Sequence, residues 1–159
     1  MNANDARIAA LYTARVGCTV PEPAPNAHSP LPGRFDLILQ AKAGAALGSS
    51  GADYVLTITA INDDLATPVP DLAPKGSPFA EEWTEVHGWR STGREFVKSS
   101  VGDQDGICRY EIFVPDGLAG QFHFQARLIS VNFQIVSFVR SDPFVLVPAV
   151  PWPCSAEDC

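Results

Sequence analysis

The sequence predicts an all-β fold, an antiparallel two-sheet sandwich of about seven strands. Its composition is 46% hydrophobic and 18% charged, a balance typical of a globular domain. Fourteen prolines and twelve glycines divide the apolar residues into short runs, which favours short strands joined by turns. From residue 34 onward, apolar and polar residues alternate with the period of a β-strand. A chain of 159 residues is long enough to form one such domain without cross-links.

The first 33 residues are predicted to form a short N-terminal helix followed by a proline-rich arm. Residues 4–16 carry the helical pattern, because Asn4 or Asp5 can cap a helix and apolar residues recur at spacings of three and four. The recurring positions are Ile8, Leu11, Tyr12 and Arg15 or Val16. Residues 19–33 contain five prolines, so we expect an extended spacer or strap there.

Residues 34–147 are predicted to be the sandwich domain, and residues 148–159 a second proline-rich arm. The first two strands are expected at residues 34–43 and 53–61, before a long irregular stretch at residues 62–82. Further strand candidates lie at residues 83–90, 94–101, 107–114, 121–131 and 133–147, the last being one bent strand or two short ones divided near Pro143.

Residues 116–126, DGLAGQFHFQA, suggest a known type of sandwich. This run resembles the turn and strand F of immunoglobulin-like and fibronectin-type-III-like domains, with Gly120 followed two residues later by the aromatic Phe122. Residues 141–147, SDPFVLV, resemble a closing strand G. Phe122 lacks the hydroxyl of the usual tyrosine corner, and no cysteine pair with an intervening Trp reproduces the antibody-type core. The resemblance implies a shape without a function, and a jelly roll is the alternative.

Charge and hydropathy argue against two classes of partner. The net charge is −7 and the basic residues are scattered singly, so we expect no nucleic-acid partner. No stretch approaches the length of a membrane span, and the N-terminus lacks the apolar segment of a secretion signal. We therefore expect a cytoplasmic protein by default, with release from the cell as part of an assembly as the alternative.

The four cysteines allow a disulfide, although a cytoplasmic location would keep them reduced. The disulfide candidates are Cys18, Cys154 and Cys159. A zinc site that uses Cys154 and Cys159 with Cys18 or His28 is less favoured, because a single C-x4-C pair lacks the second ligand pair of structural zinc sites. Cys108 is expected to be a buried, inert thiol on the apolar side of its strand.

A calcium site is the next candidate, at a carboxylate-rich loop. Asp103 and Asp105, with residues 62–64 as further donors, could supply oxygen ligands. Turn chemistry explains these residues better, because Asp-Gly and Asn-Asp are common in turns and no complete calcium-loop pattern follows. We therefore predict no metal site and no cofactor, with Asp103 and Asp105 as weak candidates.

The segment WTEVHGWR, residues 83–90, concentrates large aromatic and charged residues. Interface or ligand candidates here are Trp83, His87, Trp89 and Arg90. In a single strand, Trp83, Glu85, His87 and Trp89 would share one face. We favour a covered face or a protein interface over a sugar-binding platform.

The sequence contains no recognised catalytic motif, which favours a non-enzymatic function. There is no nucleophile elbow, P-loop or HExxH motif. None of the three histidines has a nucleophile at a spacing typical of a catalytic pair. His123 is expected to face solvent. We predict a non-enzymatic structural or protein–protein interaction module, a subunit of a larger or self-associated assembly whose terminal arms contact neighbours, with Trp152 as an anchor. The alternative is a carbohydrate- or small-ligand-binding module that uses Trp83, Trp89 and Arg90.

Overall fold

The structure is a computed structural model that describes residues 6–27, 33–43, 52–75, 77, 79–84, 88–91, 95–99, 104–130 and 136–148. It confirms the all-β prediction, because two antiparallel sheets pack as a sandwich around one apolar core. The described residues contain no helix of seven or more residues. None of the helices found in these ranges is both long and apolar enough to cross a membrane.

Eleven strands and one 3-10 turn, Pro70–Leu72, make up the described chain. The strands are β1 (Ala6–Ala14), β2 (Arg34–Ala43), β3 (Ala52–Asn62), β4 (Thr67–Pro68), β5 (Phe79–Thr84), β6 (Gly88–Ser91), β7 (Glu95–Ser99), β8 (Gln104–Phe113), β9 (Gly120–Ser130), β10 (Val136–Arg140) and β11 (Phe144–Leu146). Sheet A has the strand order β1-β2-β8-β7. Sheet B has the order β10-β9-β3-β5-β6, and in addition β11 pairs with β9 and β4 with β3.

The predicted N-terminal helix is wrong, because these residues form the edge strand β1 of sheet A. β1 pairs antiparallel with β2, and its register shifts between Ile8 and Ala10. This β-bulge adds one residue, so Ile8 and Leu11 are both buried although they are three positions apart. A spacing of three therefore imitated a helix, while pairing along β2 satisfies the backbone as a strand.

The break predicted near Pro143 is present, and it divides the edge of sheet B into two short strands. β10 pairs with β9 as far as Arg140 opposite Gln125, and β11 resumes with Phe144 opposite Phe122. Between them, the amide of Ser141 donates to the Phe124 carbonyl (2.8 Å). The Ser141 hydroxyl accepts from the Phe124 amide (2.9 Å), so the serine holds both strands to β9 across the irregularity.

An aromatic cluster joins the two sheets at the centre of the core. The ring of Phe35 on β2 lies 6.2 Å from that of Phe124 on β9 and 5.5 Å from that of Phe144 on β11. Phe124 and Phe144 stack at 5.1 Å, and Phe122 stacks on Phe144 at 6.0 Å. All four side chains are at most 1% exposed. The burial of Phe122 and Phe124 agrees with the predicted inward positions.

Residues 15–27, hereafter the strap, are tied to the sandwich by hydrogen bonds. The Val145 amide donates to the Pro23 carbonyl (2.8 Å), and the Asn26 side chain pairs with both the amide and the carbonyl of Val147. The strap thus covers the outer edge of β11, which would otherwise present unpaired backbone groups. The Glu22 amide also donates to the Thr13 carbonyl (2.8 Å). Residues 19–27 of the proline-rich arm, which are described, therefore lie along the sandwich.

The first part of the strap crosses the outer face of sheet A. Asp36 is 3% exposed, and its carboxylate accepts from the Gly17 amide (2.9 Å) and from Arg109 (2.5 Å). Arg109 also donates to the Cys18 carbonyl (3.0 Å). Ile38, whose neighbours Leu37 and Leu39 enter the core, is itself fully buried on this opposite face. The strap therefore gives sheet A a second, smaller buried layer.

Tyr54 leads to a prediction about stability, because its hydroxyl is buried without a hydrogen-bond partner in the described part of the chain. Tyr54→Phe is expected to raise the free energy of unfolding by about 1 kcal/mol, since it removes an unsatisfied polar group and keeps the ring. Burial also raises the pKa of Tyr54 from 10.0 to about 12. Between these values the unfolded chain loses the phenolic proton first, so the stability of the parent falls as pH rises.

Urea denaturation of both proteins at about pH 8 and about pH 11 tests this prediction. The stability gain of Tyr54→Phe should be larger at the higher pH, because the variant lacks this titration. A variant that is less stable than the parent at both pH values would show that the hydroxyl makes a stabilising contact.

Candidate functional site

The outer face of sheet B carries the most exposed apolar surface found on a described sheet. Its side chains lie in cross-strand rows that the register defines. In order along the strands, the rows are Val55–Ile129, Thr57–Arg127–Phe138, Thr59–Gln125–Arg140 and Ile61–His123. The side chains of Phe138 and Val55 are 59% and 40% exposed. We call Val55, Thr57, Arg127, Phe138 and Arg140 the outer patch.

The outer patch combines an exposed aromatic ring with two guanidinium groups. Arg127 lies directly opposite Phe138, Arg140 lies two residues further along β10, and both arginines are exposed. Aromatic residues and Arg are the types most enriched in the energetically dominant parts of protein interfaces. A patch of this composition can bury its ring against an apolar surface while its arginines pair with carboxylates.

His123 lies at the end of the same face, and its predicted exposure to solvent is wrong. Its side chain is 5% exposed, because the turn that follows β3 folds over it and places Asp63 against the ring. The Asp63 carboxylate contacts Nδ1 at 2.5 Å, and the Gln125 amide nitrogen contacts Nε2 at 3.1 Å. A carboxylate only accepts, so Nδ1 donates to Asp63, while the Gln125 side-chain amide faces Nε2. The pair pins the turn to β9.

The turn at residues 62–66 shows the predicted turn chemistry. The Asn62 side-chain oxygen accepts from the amides of Asp64 (2.9 Å) and Leu65 (3.1 Å), and the Asp63 amide donates to the Gln121 carbonyl (2.9 Å). Gly120 faces the turn with φ +124°, and an added Cβ would lie 3.2 Å from an Asp64 oxygen. Only glycine fits there, because the backbone is left-handed and the turn is close.

Of the calcium candidates, Asp103 lies outside the described residues. Asp105 lies within β8, opposite Lys42 on β2 and Ser99 on β7, and therefore not in the loop that was predicted. β8 continues through the Asp-Gly pair, because residues 105 and 106 pair with β2 on one side and with β7 on the other. A strand therefore stands where the sequence predicted a turn. In the described ranges, no group of three or more His, Cys, Asp or Glu residues is placed to hold a metal ion.

The aromatic segment at residues 83–90 is a hairpin, so its predicted form as one strand is wrong. β5 ends at Thr84, β6 begins at Gly88, and the register places Trp83 opposite Trp89 and Glu82 opposite Arg90. The two tryptophans are thus cross-strand neighbours instead of positions along one strand. His87 lies outside the described residues. The side chains of Trp83, Trp89 and Arg90 are not among those described, so their part in an interface or in sugar binding stays a prediction.

The disulfide candidates are described only at Cys18. This residue lies in the strap, is 4% exposed and is disulfide-bonded. Cys154, Cys159 and the predicted anchor Trp152 lie outside the described residues. Cys108 is fully buried in β8, as predicted. A disulfide is typical of oxidising compartments, which fits the predicted alternative of release from the cell, and the location stays a prediction.

A groove lies beside β3, where the chain between β4 and β5 bulges away from the sheet. It has a volume of about 540 Å³ and is lined by residues 57–59 on one side and by residues 68, 70, 71, 73–75 and 77 on the other. β5 pairs with β3 only as far as Leu56, and β4 pairs only from Ile61, so the bulge is confined to the residues between them.

Sequence patterns did not single out the outer patch or the groove. FQIVSFV is apolar at both strand parities, so alternation alone does not say that Phe138 faces outward. The His123–Asp63 pair joins residues sixty positions apart, and no local spacing signals it. Comparison with known proteins found no family model that matches the chain and no curated protein that matches it.

Proposed function

We propose that this protein is a non-enzymatic protein–protein interaction module with an immunoglobulin-like sandwich, acting as a subunit of a larger assembly. The strand order of sheet A supports the immunoglobulin-like assignment, since β1-β2-β8-β7 matches the order A-B-E-D. The order of sheet B matches the order G-F-C-C′-C″ of variable-type domains, with β10 and β11 together as strand G.

The position of the aromatic cluster also supports the immunoglobulin-like assignment. Antibody domains join strands B and F across the core by a disulfide. In this chain the corresponding strands are β2 and β9, and they contribute Phe35 and Phe124, whose rings are 6.2 Å apart. Tilted aromatic rings thus join these two strands where antibody domains have a disulfide.

We propose that the outer patch is the binding surface. The observation behind this proposal is the exposed ring of Phe138, which lies beside two arginines. Phe138 lies on the edge strand β10, and covering a ring that is 59% exposed with an apolar partner surface is favourable. On the outer face of sheet A the ring of Phe113 is 39% exposed, but the cations of Arg34 (4.7 Å) and Lys75 (5.1 Å) already contact it. We infer that sheet B binds and that sheet A is structural.

Charge favours a different chain as the partner on this face. A two-fold homodimer would place the outer patch against itself and bring Arg127 and Arg140 of both copies together. Like charges across an interface disfavour that pairing, whereas a partner surface with carboxylates around an apolar centre fits it. Self-association through the terminal arms stays a prediction, and the described strap bonds to its own domain.

Phe138→Ala is expected to weaken binding to the partner at least about thirtyfold, equivalent to about 2 kcal/mol, because a buried aromatic anchor is lost. Arg127→Glu should weaken it further by reversing a charge. Proteins captured from the source cells by the parent would be produced in pure form, and their dissociation constants measured with each variant. Val20→Ala is the control, since Val20 is 62% exposed but lies in the strap.

Equal affinity of Phe138→Ala and the parent for every captured protein would contradict the outer patch as the working surface. Light scattering of the parent alone at micromolar concentration separates the two kinds of assembly. A monomer that nevertheless binds a purified partner through Phe138 supports the module as proposed. If the parent is a homo-oligomer and Phe138→Ala remains one, the contacts between subunits lie in the terminal arms and not in the outer patch.

A further inference from the structure

Cys18 is the covalently linked residue of the strap, and the fold narrows the identity of its partner. It is disulfide-bonded and 4% exposed, and its sulfur lies 3.8 Å from the Val16 carbonyl oxygen. The sequence contains three other cysteines, Cys108, Cys154 and Cys159. A disulfide brings the two Cβ atoms to within about 3.5–4.5 Å of each other, so the partner has to lie against the strap.

Cys108 lies on the wrong side of sheet A to be this partner. It is fully buried in β8 and belongs to the apolar core between the two sheets. The next residue, Arg109, projects from the opposite face of the sheet and donates there to the Cys18 carbonyl (3.0 Å). The backbone of sheet A therefore separates Cys18 from the side chain of Cys108. This leaves the two C-terminal cysteines as partners.

The chain leaves the sandwich beside the strap, which brings the C-terminal cysteines within reach of Cys18. The Asn26 side chain accepts from the Val147 amide (3.1 Å) and donates to the Val147 carbonyl (2.9 Å). Cys154 and Cys159 follow Val147 by seven and twelve residues, and extended chains of these lengths span roughly 23 Å and 40 Å. Cys18 precedes Asn26 by eight residues, which span at most roughly 28 Å. A C-terminal arm that folds back along the strap can therefore reach Cys18.

We propose that Cys18 is bonded to Cys154 or Cys159, and that this disulfide is a redox-sensitive clamp between the strap and the C-terminal arm. The bond closes a loop that contains every described strand from β2 to β11. Closing a long loop restricts the unfolded chain more than closing a short one, so the clamp stabilises the domain. This inference does not depend on the outer patch, which lies on the other sheet.

The clamp closes and opens by thiol–disulfide exchange. One cysteine thiolate attacks a small oxidised disulfide, such as oxidised glutathione, and releases one thiolate from it; the second cysteine then attacks the mixed disulfide and releases the other. The two cysteine thiols thus lose two protons and two electrons, and the small disulfide becomes two thiols. A dithiol reductant reverses both steps. An oxidising compartment therefore keeps the arm fastened, and a reducing one releases it.

Peptide mapping of the full chain without reductant tests the assignment. After oxidation with oxidised glutathione and blocking of thiols with iodoacetamide, trypsin should yield residues 16–34 joined by a disulfide to residues 141–159. These two peptides are expected because no Lys or Arg interrupts either of them. Further cleavage after Glu157 separates Cys154 from Cys159 and identifies the partner of Cys18.

Hydrogen exchange of the strap tests the clamp itself. Reduction by dithiothreitol should speed exchange of the hydrogen-bonded amides of Gly17 and Glu22 at least about tenfold, with little change at the turn amide of Leu118. Cys18→Ser should exchange as fast without reductant and should not respond to it. Cys108→Ala is the matched control, because it removes a different cysteine and should respond to reductant as the parent does.

Three results would overturn the proposal. The first is an oxidised chain without the expected linked peptide, and the second is a link from Cys18 to Cys108. The third is a linked peptide that comes only from a covalent dimer, which mass measurement without reductant distinguishes from a monomer. If the expected link is present but strap exchange is the same with and without dithiothreitol, the bond does not act as a clamp, and that part of the proposal is refuted.

Discussion

Phe124→Ala is expected to lower the free energy of unfolding by about 3–5 kcal/mol, which is a large share of the stability of a domain this size. The ring of Phe124 contacts those of Phe35 on sheet A (6.2 Å) and Phe144 on sheet B (5.1 Å), so its removal leaves a cavity that touches both sheets. Neither sheet can collapse into this cavity, because strand pairing on both sides of β9 fixes the backbone. Urea denaturation of the parent and the variant measures the loss.

Phe138→Ala is the matched control for this experiment, since it removes the same side chain from a position that is 59% exposed. Its free energy of unfolding should change by no more than about 0.5 kcal/mol, as for other surface substitutions. A loss below about 1 kcal/mol for Phe124→Ala would contradict the packing of the aromatic cluster. The same pair of variants separates stability from binding, because only Phe138→Ala should affect the outer patch at constant fold.

The core was largely predictable from the sequence, and the aromatic cluster shows why. Phe122 and Phe124 alternate with polar residues, and this period of two places them on the inner face of a strand whatever the strand pairs with. β1 shows the limit of such patterns. A single β-bulge between Ile8 and Ala10 changes the spacing of buried residues from two to three, and only the pairing with β2 reveals it.

The candidate sites were less predictable, because they depend on long-range contacts. His123 occupies an outward position of β9, and the sequence places it in solvent; it is buried because the turn at residues 62–66 folds back over it. Phe138 is the opposite case, an apolar residue with nothing above it in the described ranges. Whether a strand face is covered is decided by distant segments, and strand periodicity contains no information about them.

The two sheets also differ in how far other segments cover their outer faces, and this difference suggests different roles. On the outer face of sheet A the strap bonds to the buried Asp36 through the Gly17 amide, and Ile38 is buried there too, so that face contributes to stability. On sheet B the strap covers only the edge at Val145 and Val147, and the outer face stays accessible at Val55 and Phe138. The proposed binding surface, the outer patch, therefore lies on sheet B. The strap is the segment on which this asymmetry depends.

Arg109→Met is expected to lower the free energy of unfolding by about 3 kcal/mol, because it leaves the carboxylate of Asp36 buried without its cation. Asp36 is 3% exposed and would retain only the Gly17 amide (2.9 Å) as a donor in the described chain. The bond from Arg109 to the Cys18 carbonyl (3.0 Å) is lost as well, so the strap is loosened. Urea denaturation gives the stability loss, and hydrogen exchange of the Gly17 amide reports the loosening.

Arg34→Met is the matched control, because Arg34 pairs with Glu111 at 2.9 Å but both side chains are more than 40% exposed, at 42% and 45%. Its cost should stay below about 1 kcal/mol, as for surface ion pairs. The double variant Asp36→Leu/Arg109→Met should be more stable than Arg109→Met alone, since it removes the buried charge together with its partner. If Arg109→Met costs no more than Arg34→Met, the Asp36 carboxylate has enough other solvation, and the strap holds sheet A by packing instead of by charge.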